Sequence, residues 1–183
     1  MLQNITKKLG SLTKKITIIL LTFTVAAFFC PAVNVLEVCN RKNTLQHYYS
    51  KQALRNGFVI SYTHSVNKGR VHDYYKVTNK NDLELYKTEF VSYGAGIPEP
   101  EEITGAIFSV DGNTYTISNI NRKMKQLVMA VGLIANHTIS FGNSEEIKLT
   151  DYFPAQTSII IKIKKISLAS LLFGKKIGVK SER

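Results

Sequence analysis

The stretch FVISYTHSVNKGRVHDYYKVTNKNDLELYKTEFVSYGAGIP, residues 58–98, decides the fold. It contains three strand-like runs separated by Asn-, Lys- and Gly-rich connections. Successive strand residues point to opposite faces, so Phe58, Ile60, Tyr62, His64 and Val66 share one apolar face. Val59, Ser61, Thr63 and Ser65 share the other, mostly polar face. In the run Asp82–Tyr93 the same alternation puts Leu83, Leu85, Val91 and Tyr93 together with Lys87 and Glu89; Tyr86 and Phe90 fall opposite. A buried carboxylate and a buried imidazole are each costly alone. The alternation therefore predicts that His64 and Glu89 point inward and meet, with Glu89 setting the tautomer or charge of the ring.

Outward from this stretch, the rest of the chain reads as more short strands. Val33–Cys39 and Leu45–Lys51 precede it, with a turn at Arg55-Asn56-Gly57. Ala106–Val110 and Thr114–Ser118 flank Asp111-Gly112-Asn113, a hairpin signal. Gln126–Phe141 reads as one long strand bent at Gly132, and Ser158–Ile166 closes the series. Many short strands at regular spacing predict an all-β fold, an antiparallel β-sandwich or partly open barrel.

An N-terminal apolar helix precedes it. Lys7, Lys8, Lys14 and Lys15 lead into Ile16–Leu36, which carries no charge. A basic flank before an uncharged apolar run marks an export signal with its N-terminus in the cytoplasm. The run is long enough to anchor, and Val25-Ala26-Ala27 also offers a small-residue cleavage site, so signal peptide and signal anchor both stay open. The expected organisation is leader 1–32, extracytoplasmic β-rich domain 33–166 and basic C-terminal tail 167–183. The tail reads as a solvated terminus, with contact to anionic lipid as the alternative. Cys30 and Cys39 do not support a disulfide framework.

The net charge of +11 divides unevenly: four lysines in residues 1–15, a net +6 in residues 161–183, and +1 for everything between. A nucleic-acid binder carries its basic patch on the folded domain, so nucleic acid is excluded as a partner class.

Ser61-Tyr62-Thr63-His64-Ser65-Val66, Glu89-Phe90, Ser92-Tyr93-Gly94-Ala95-Gly96-Ile97-Pro98 and His137-Thr138 together resemble the bacterial domain-of-unknown-function 1850 family. The resemblance covers roughly Val33–Lys164 and departs at Asn67 and Gly69-Arg70, while Asp73 keeps a carboxylate. It implies an accessory role beside a TAXI-type tripartite ATP-independent periplasmic transporter, with the permease or solute receptor as partner, at the extracytoplasmic face of the cytoplasmic membrane.

The candidate buried polar site is His64, Ser65, Asp73, Glu89, Gly94, Gly96, Pro98 and His137. His64, Glu89 and His137 are metal-ligating residue types, but their long spacing lacks a close ligand pair, so the expectation is a structural cluster without metal or other cofactor. Ser65 and His64 are strand neighbours pointing oppositely and do not form a nucleophile–base pair, so no catalytic residue is expected. Gly94-Ala95-Gly96 reads as a tight turn rather than an anion cradle. A free-standing ligand- or metal-binding module near the membrane is the alternative to the accessory role.

Overall fold

The computed structural model describes residues 2–43, 45–91 and 103–178. The chain begins with α1 (Leu2–Phe29), followed by β1 (Val33–Asn40), β2 (His47–Ser50), a short helix α2 (Ala53–Asn56), β3 (Phe58–Thr63), β4 (Arg70–Val77) and β5 (Leu83–Phe90). Then come β6 (Ile107–Asp111), β7 (Thr114–Met124), β8 (Gln126–Ala130), β9 (Thr138–Ser140), β10 (Ile147–Lys148), β11 (Ser158–Ile166) and α3 (Leu168–Phe173). The strands form two open sheets, a four-stranded one ordered β2-β1-β11-β8 and a seven-stranded one ordered β10-β9-β3-β4-β5-β7-β6. Every named pairing whose register is defined is antiparallel. The expected all-β antiparallel fold is correct, and no barrel closes among the described residues.

One core lies between the sheets. Leu36, Val38, Ile159 and Ile161 come from the smaller sheet, and Phe58, Ile60, Tyr75, Leu83 and Ile139 from the larger. A second cluster, Val71, Phe90 and Ile117, sits further along the larger sheet. The faces follow from register. Phe58 pairs with Tyr75, Ile60 with Asp73 and Tyr62 with Val71, so these residues share the core side, while Ser61 and His72 share the other.

Four expectations change. β3 ends at Thr63, because the His64 N–H donates to Gly69 O (2.9 Å) and the Lys68 N–H to His64 O (3.2 Å), closing a tight turn. His64 is therefore half-buried at a strand end, and Ser65 and Val66 are exposed. In β5 the register shifts at Tyr86, an extra residue relative to β4. This bulge reverses the alternation, turning Lys87 and Glu89 outward and Thr88 and Phe90 inward. The stretch expected to be one bent strand, Gln126–Phe141, is two strands in different sheets, and residues 131–137 hand the chain from one to the other.

The last correction concerns the C-terminus. Residues 167–178 are folded rather than a solvated tail: α3 is followed by Lys176 bridging to Tyr49 in parallel, with Ile177 buried in the main core. The chain divides into two compact units. One holds residues through Val33 with Lys165–Gly174, and the other holds Asn34–Lys164 with the chain from Lys175 onward. In the first, Leu12–Phe29 has a mean hydropathy of 1.7, apolar and long enough to cross a membrane. Its length and composition are compatible with a signal peptide or a membrane anchor.

Gly57 ends α2 and opens β3 at φ +68°, and a Cβ there would lie 2.3 Å from Tyr75 O in the neighbouring strand. Gly57→Ala is expected to cost at least about 2 kcal/mol, read as a lowered midpoint in denaturant melts of the solubilised chain. An unchanged midpoint would refute so close an approach of β3 to β4.

Candidate functional site

The core side of β4 reads Val71, Asp73, Tyr75, Val77, an apolar series with one carboxylate in it. Asp73 accepts a hydrogen bond from Thr88 Oγ1 on β5 (2.8 Å) and another from the Tyr62 hydroxyl on β3. Burial outweighs these bonds and pushes its pKa up to about 6. Burial and the adjacent Asp73 also push the Tyr62 hydroxyl well above the usual tyrosine range. Tyr62 in turn lies against His137, with ring centroids 5.6 Å apart. The His137 Nδ1 accepts the Gly132 N–H (2.9 Å), which leaves the ring proton on Nε2. Burial, assisted by the Arg70 guanidinium, lowers the pKa of that ring.

Two of the expected site residues, Asp73 and His137, are thus linked, through Tyr62 rather than directly. Asp73 is the inward carboxylate; Glu89 is not. Glu89 lies on the opposite face, accepting hydrogen bonds from the Tyr74 hydroxyl and from Lys87 Nζ (2.9 Å), with its pKa held below the usual range by these partners against the opposing effect of burial. The expected His64–Glu89 contact does not form: His64 Nδ1 accepts the Val66 N–H at 3.3 Å within its own turn. Ser65 is exposed, with its carbonyl accepting from Lys68 Nζ (2.6 Å). Gly94, Gly96 and Pro98 lie outside the described residues. No three His, Cys, Asp or Glu residues converge as a metal-binding group among the described residues.

The outer face carries a second cluster. Arg70 on β4 bonds Thr138 Oγ1 (2.7 Å) and Glu146 Oε2 (2.6 Å), and Glu146 also accepts from Thr138 (2.9 Å). Ser61 Oγ lies 2.8 Å from His72 Nδ1, and Glu146 Oε1 lies 3.7 Å from the same nitrogen. Serine, histidine and an acid thus meet, but without relay geometry. In a relay the nucleophile and the acid hold opposite ring nitrogens, whereas here both approach Nδ1. Ser61 also hydrogen-bonds Glu146, and it is buried. One proton pattern satisfies every partner: Ser61 donates to Glu146 and accepts from the His72 Nδ1–H. In it the imidazole is no base toward the hydroxyl.

Beside Thr88 the core side opens into a cleft of about 440 Å³, lined by Leu85, Ile103, Ile117 and Ile120 with Thr88, Thr104 and Arg122. It forms where the β5–β7 ladder breaks, Leu85 pairing with Arg122 and Lys87 with Ser118, so one residue on β5 faces three on β7. Asn119 and Asn121 take positive φ (59° and 55°), a conformation Asn tolerates. Arg122 forms no ion pair with a described acid.

Residues 58–149 match the model of a family described as a domain of unknown function, DUF1850. The chain belongs to that family. No curated protein and no solved structure matches it. The DUF1850 segment runs from β3 to the turn after β10, so it contains every strand of the seven-stranded sheet and both polar clusters. Sequence reasoning missed Tyr62 and Thr88 on the DUF1850 carboxylate, and Arg122 in the cleft beside Thr88. One signal for its setting was present, the lone acid in the alternating series Val71, Asp73, Tyr75, Val77.

Asp73 ionises near its ordinary 3.8 in the unfolded chain but near about 6 in the folded one. Between those values the unfolded chain binds fewer protons, so the stability this group supplies is full below the lower pKa and lost as pH rises through the upper one. Asp73→Asn is therefore expected to be more stable than the parent at about pH 7.5, by on the order of 1–3 kcal/mol, with the gap closing near pH 4. A variant that is less stable at neutral pH, or a gap that does not change with pH, would contradict this.

Proposed function

We propose that this DUF1850 member is a non-enzymatic accessory domain, held at the membrane by α1 with its β unit on the extracytoplasmic side. The observation that carries this is a basic-flanked apolar helix of membrane-spanning length joined to a β unit whose reactive side chains are turned on one another. Lys7, Lys8, Lys14 and Lys15 favour a cytoplasmic N-terminus, which would export everything after the helix. The finer reading is service to a TAXI-type tripartite transporter, through its permease or its solute receptor; it rests on the resemblance carried by His64-Ser65-Val66 in combination with Gly94-Ala95-Gly96-Ile97-Pro98.

A second reading is favoured by the cleft. An apolar wall with a guanidinium that forms no ion pair among the described residues suits a small amphiphile with an anionic head, as in other pockets where a few polar groups orient an apolar ligand. A ligand-binding module acting alone would use this cleft without a transporter.

Two measurements separate these readings. The accessory protein is expected to co-purify with a TAXI-type permease or receptor from gently solubilised membranes, and clean recovery without either would count against it. In the second reading, octanoate is expected to raise the melting temperature of the parent but not of Arg122→Glu, and no response in the parent would remove it. The non-enzymatic assignment has its own check: a fluorophosphonate probe is expected to leave Ser61 unlabelled, and labelling that disappears in Ser61→Ala would reverse it.

A further inference from the structure

The unit that holds α1 also holds α3, and α3 is built against its own sequence. Its six residues are too few to form a stable helix alone. Its first turn is capped by Ser167, whose Oγ accepts the Ser170 N–H (3.1 Å), and Ser167 and Ala169 are buried. Yet Leu168 (43%), Leu172 (61%) and Phe173 (83%) are exposed. A fixed short helix that presents three large apolar side chains to solvent marks a surface made to be covered.

The neighbouring residues say what covers it. Leu168 shares an apolar cleft of about 420 Å³ with Thr24, Val25, Ala27, Phe28 and Phe29, the C-terminal end of α1. That end is itself apolar and exposed, with Phe23 at 73% and Phe29 at 63%. The apolar surface of α3 therefore continues the apolar surface of the helix long enough to cross a membrane. Lys165 precedes α3, and Lys175 and Lys176 come after it, all exposed. Apolar side chains flanked by cations fit the boundary between acyl chains and anionic headgroups, where the rings and branched chains enter the lipid and the ammonium groups stay in the headgroup layer.

We infer that α3 is an interfacial helix: Leu168, Leu172 and Phe173 seat in the bilayer boundary beside the C-terminal end of α1, with Lys165 on anionic headgroups. This rests on the reading of α1 as a membrane-inserted segment, and it adds a second, shallow attachment to the same bilayer. A lone anchor leaves the chain beyond it free to swing; a second contact a few residues across restricts that freedom.

The chain contains no tryptophan, so one introduced residue reports its own surroundings. Phe173→Trp and Val25→Trp are each placed in the full chain, reconstituted in nanodiscs of phosphatidylglycerol and phosphatidylcholine with bromine at shallow or deep acyl positions. Phe173→Trp is expected to emit at shorter wavelength than a solvated indole. Shallow bromine should quench it about twofold or more, and deep bromine less. Exchanging Lys165 for Glu, or omitting phosphatidylglycerol, should weaken that quenching. If Val25→Trp is quenched and Phe173→Trp is not, the interfacial helix is wrong and the anchor stands. If neither is quenched, the anchor fails and the inference with it. A blue-shifted but unquenched Phe173→Trp would mean that protein covers α3, which also overturns it.

Discussion

Ile60 stands opposite Asp73 in the β3–β4 ladder, and a side-chain period of two leaves no freedom once that pair is set. A slip of β3 by one residue would turn Phe58, Ile60 and Tyr62 to the outside and bring Val59, Ser61 and Thr63 into the core. Aromatic packing opposes such a slip: Phe58 stacks on Tyr75 with centroids 4.9 Å apart and planes within 7°. With the register held, Asp73 has to lie among apolar neighbours, and Ser61 and His72 have to share the opposite face. Both polar clusters are consequences of one strand pairing. The burial of Asp73 is the cost of that pairing, offset in part by the hydroxyls of Thr88 and Tyr62.

The second constraint is the extra residue at Tyr86. A regular β5 would carry Lys87 and Glu89 into the core behind Leu85, and buried charges cost several kcal/mol each unless paired. The bulge sends both outward, where they bond each other and Tyr74, and brings in Thr88 to serve Asp73 and Phe90 to stack on Tyr115. The same break leaves Asn119, Ile120 and Asn121 out of regular pairing, and the cleft opens there. The site's hydroxyl donor and its cavity thus share a cause.

These two constraints also decide how much was legible in the sequence. Alternation in Phe58–Tyr62 and the hairpin at Asp111-Gly112-Asn113 are local signals, and the strands fall where they place them. The inward carboxylate was sought in β5 because the apolar period there begins at Leu83 and runs unbroken only to Leu85. Nothing local announces a bulge at Tyr86, since its position depends on pairing with β4 and β7. His64 failed for a similar reason: its alternation continues that of Phe58, but the Gly69 carbonyl draws its amide into a turn, ending the strand first. Gly132 was read as a bend within one strand; the chain instead changes sheets there, a long-range outcome that periodicity does not encode. The pairing of Ser61 with His72 required the register of two strands, which no single-strand pattern contains.

Charge counted along the chain misplaces two lysines for the same reason. Lys162 and Lys164 belong to the strongly basic C-terminal segment, yet both sit on β11 with Glu37 of β1 between them, at 3.7 and 2.6 Å. Glu37 is 2% exposed, a carboxylate on the face of the smaller sheet away from the main core, and the bond to it raises the Lys164 pKa. A buried acid needs fixed cations more than it needs freely solvated ones, and alternation along β11 supplies two on one face. These lysines are structural. The basic excess left for an external surface is therefore smaller than the sequence count, and among the described residues of that segment it narrows to Lys165, Lys175 and Lys176. In the chain they bracket α3, which exposes Leu168, Leu172 and Phe173. Lys162 and Lys164 are tied to Glu37, while Lys165, Lys175 and Lys176 stay exposed on either side of α3 in the chain.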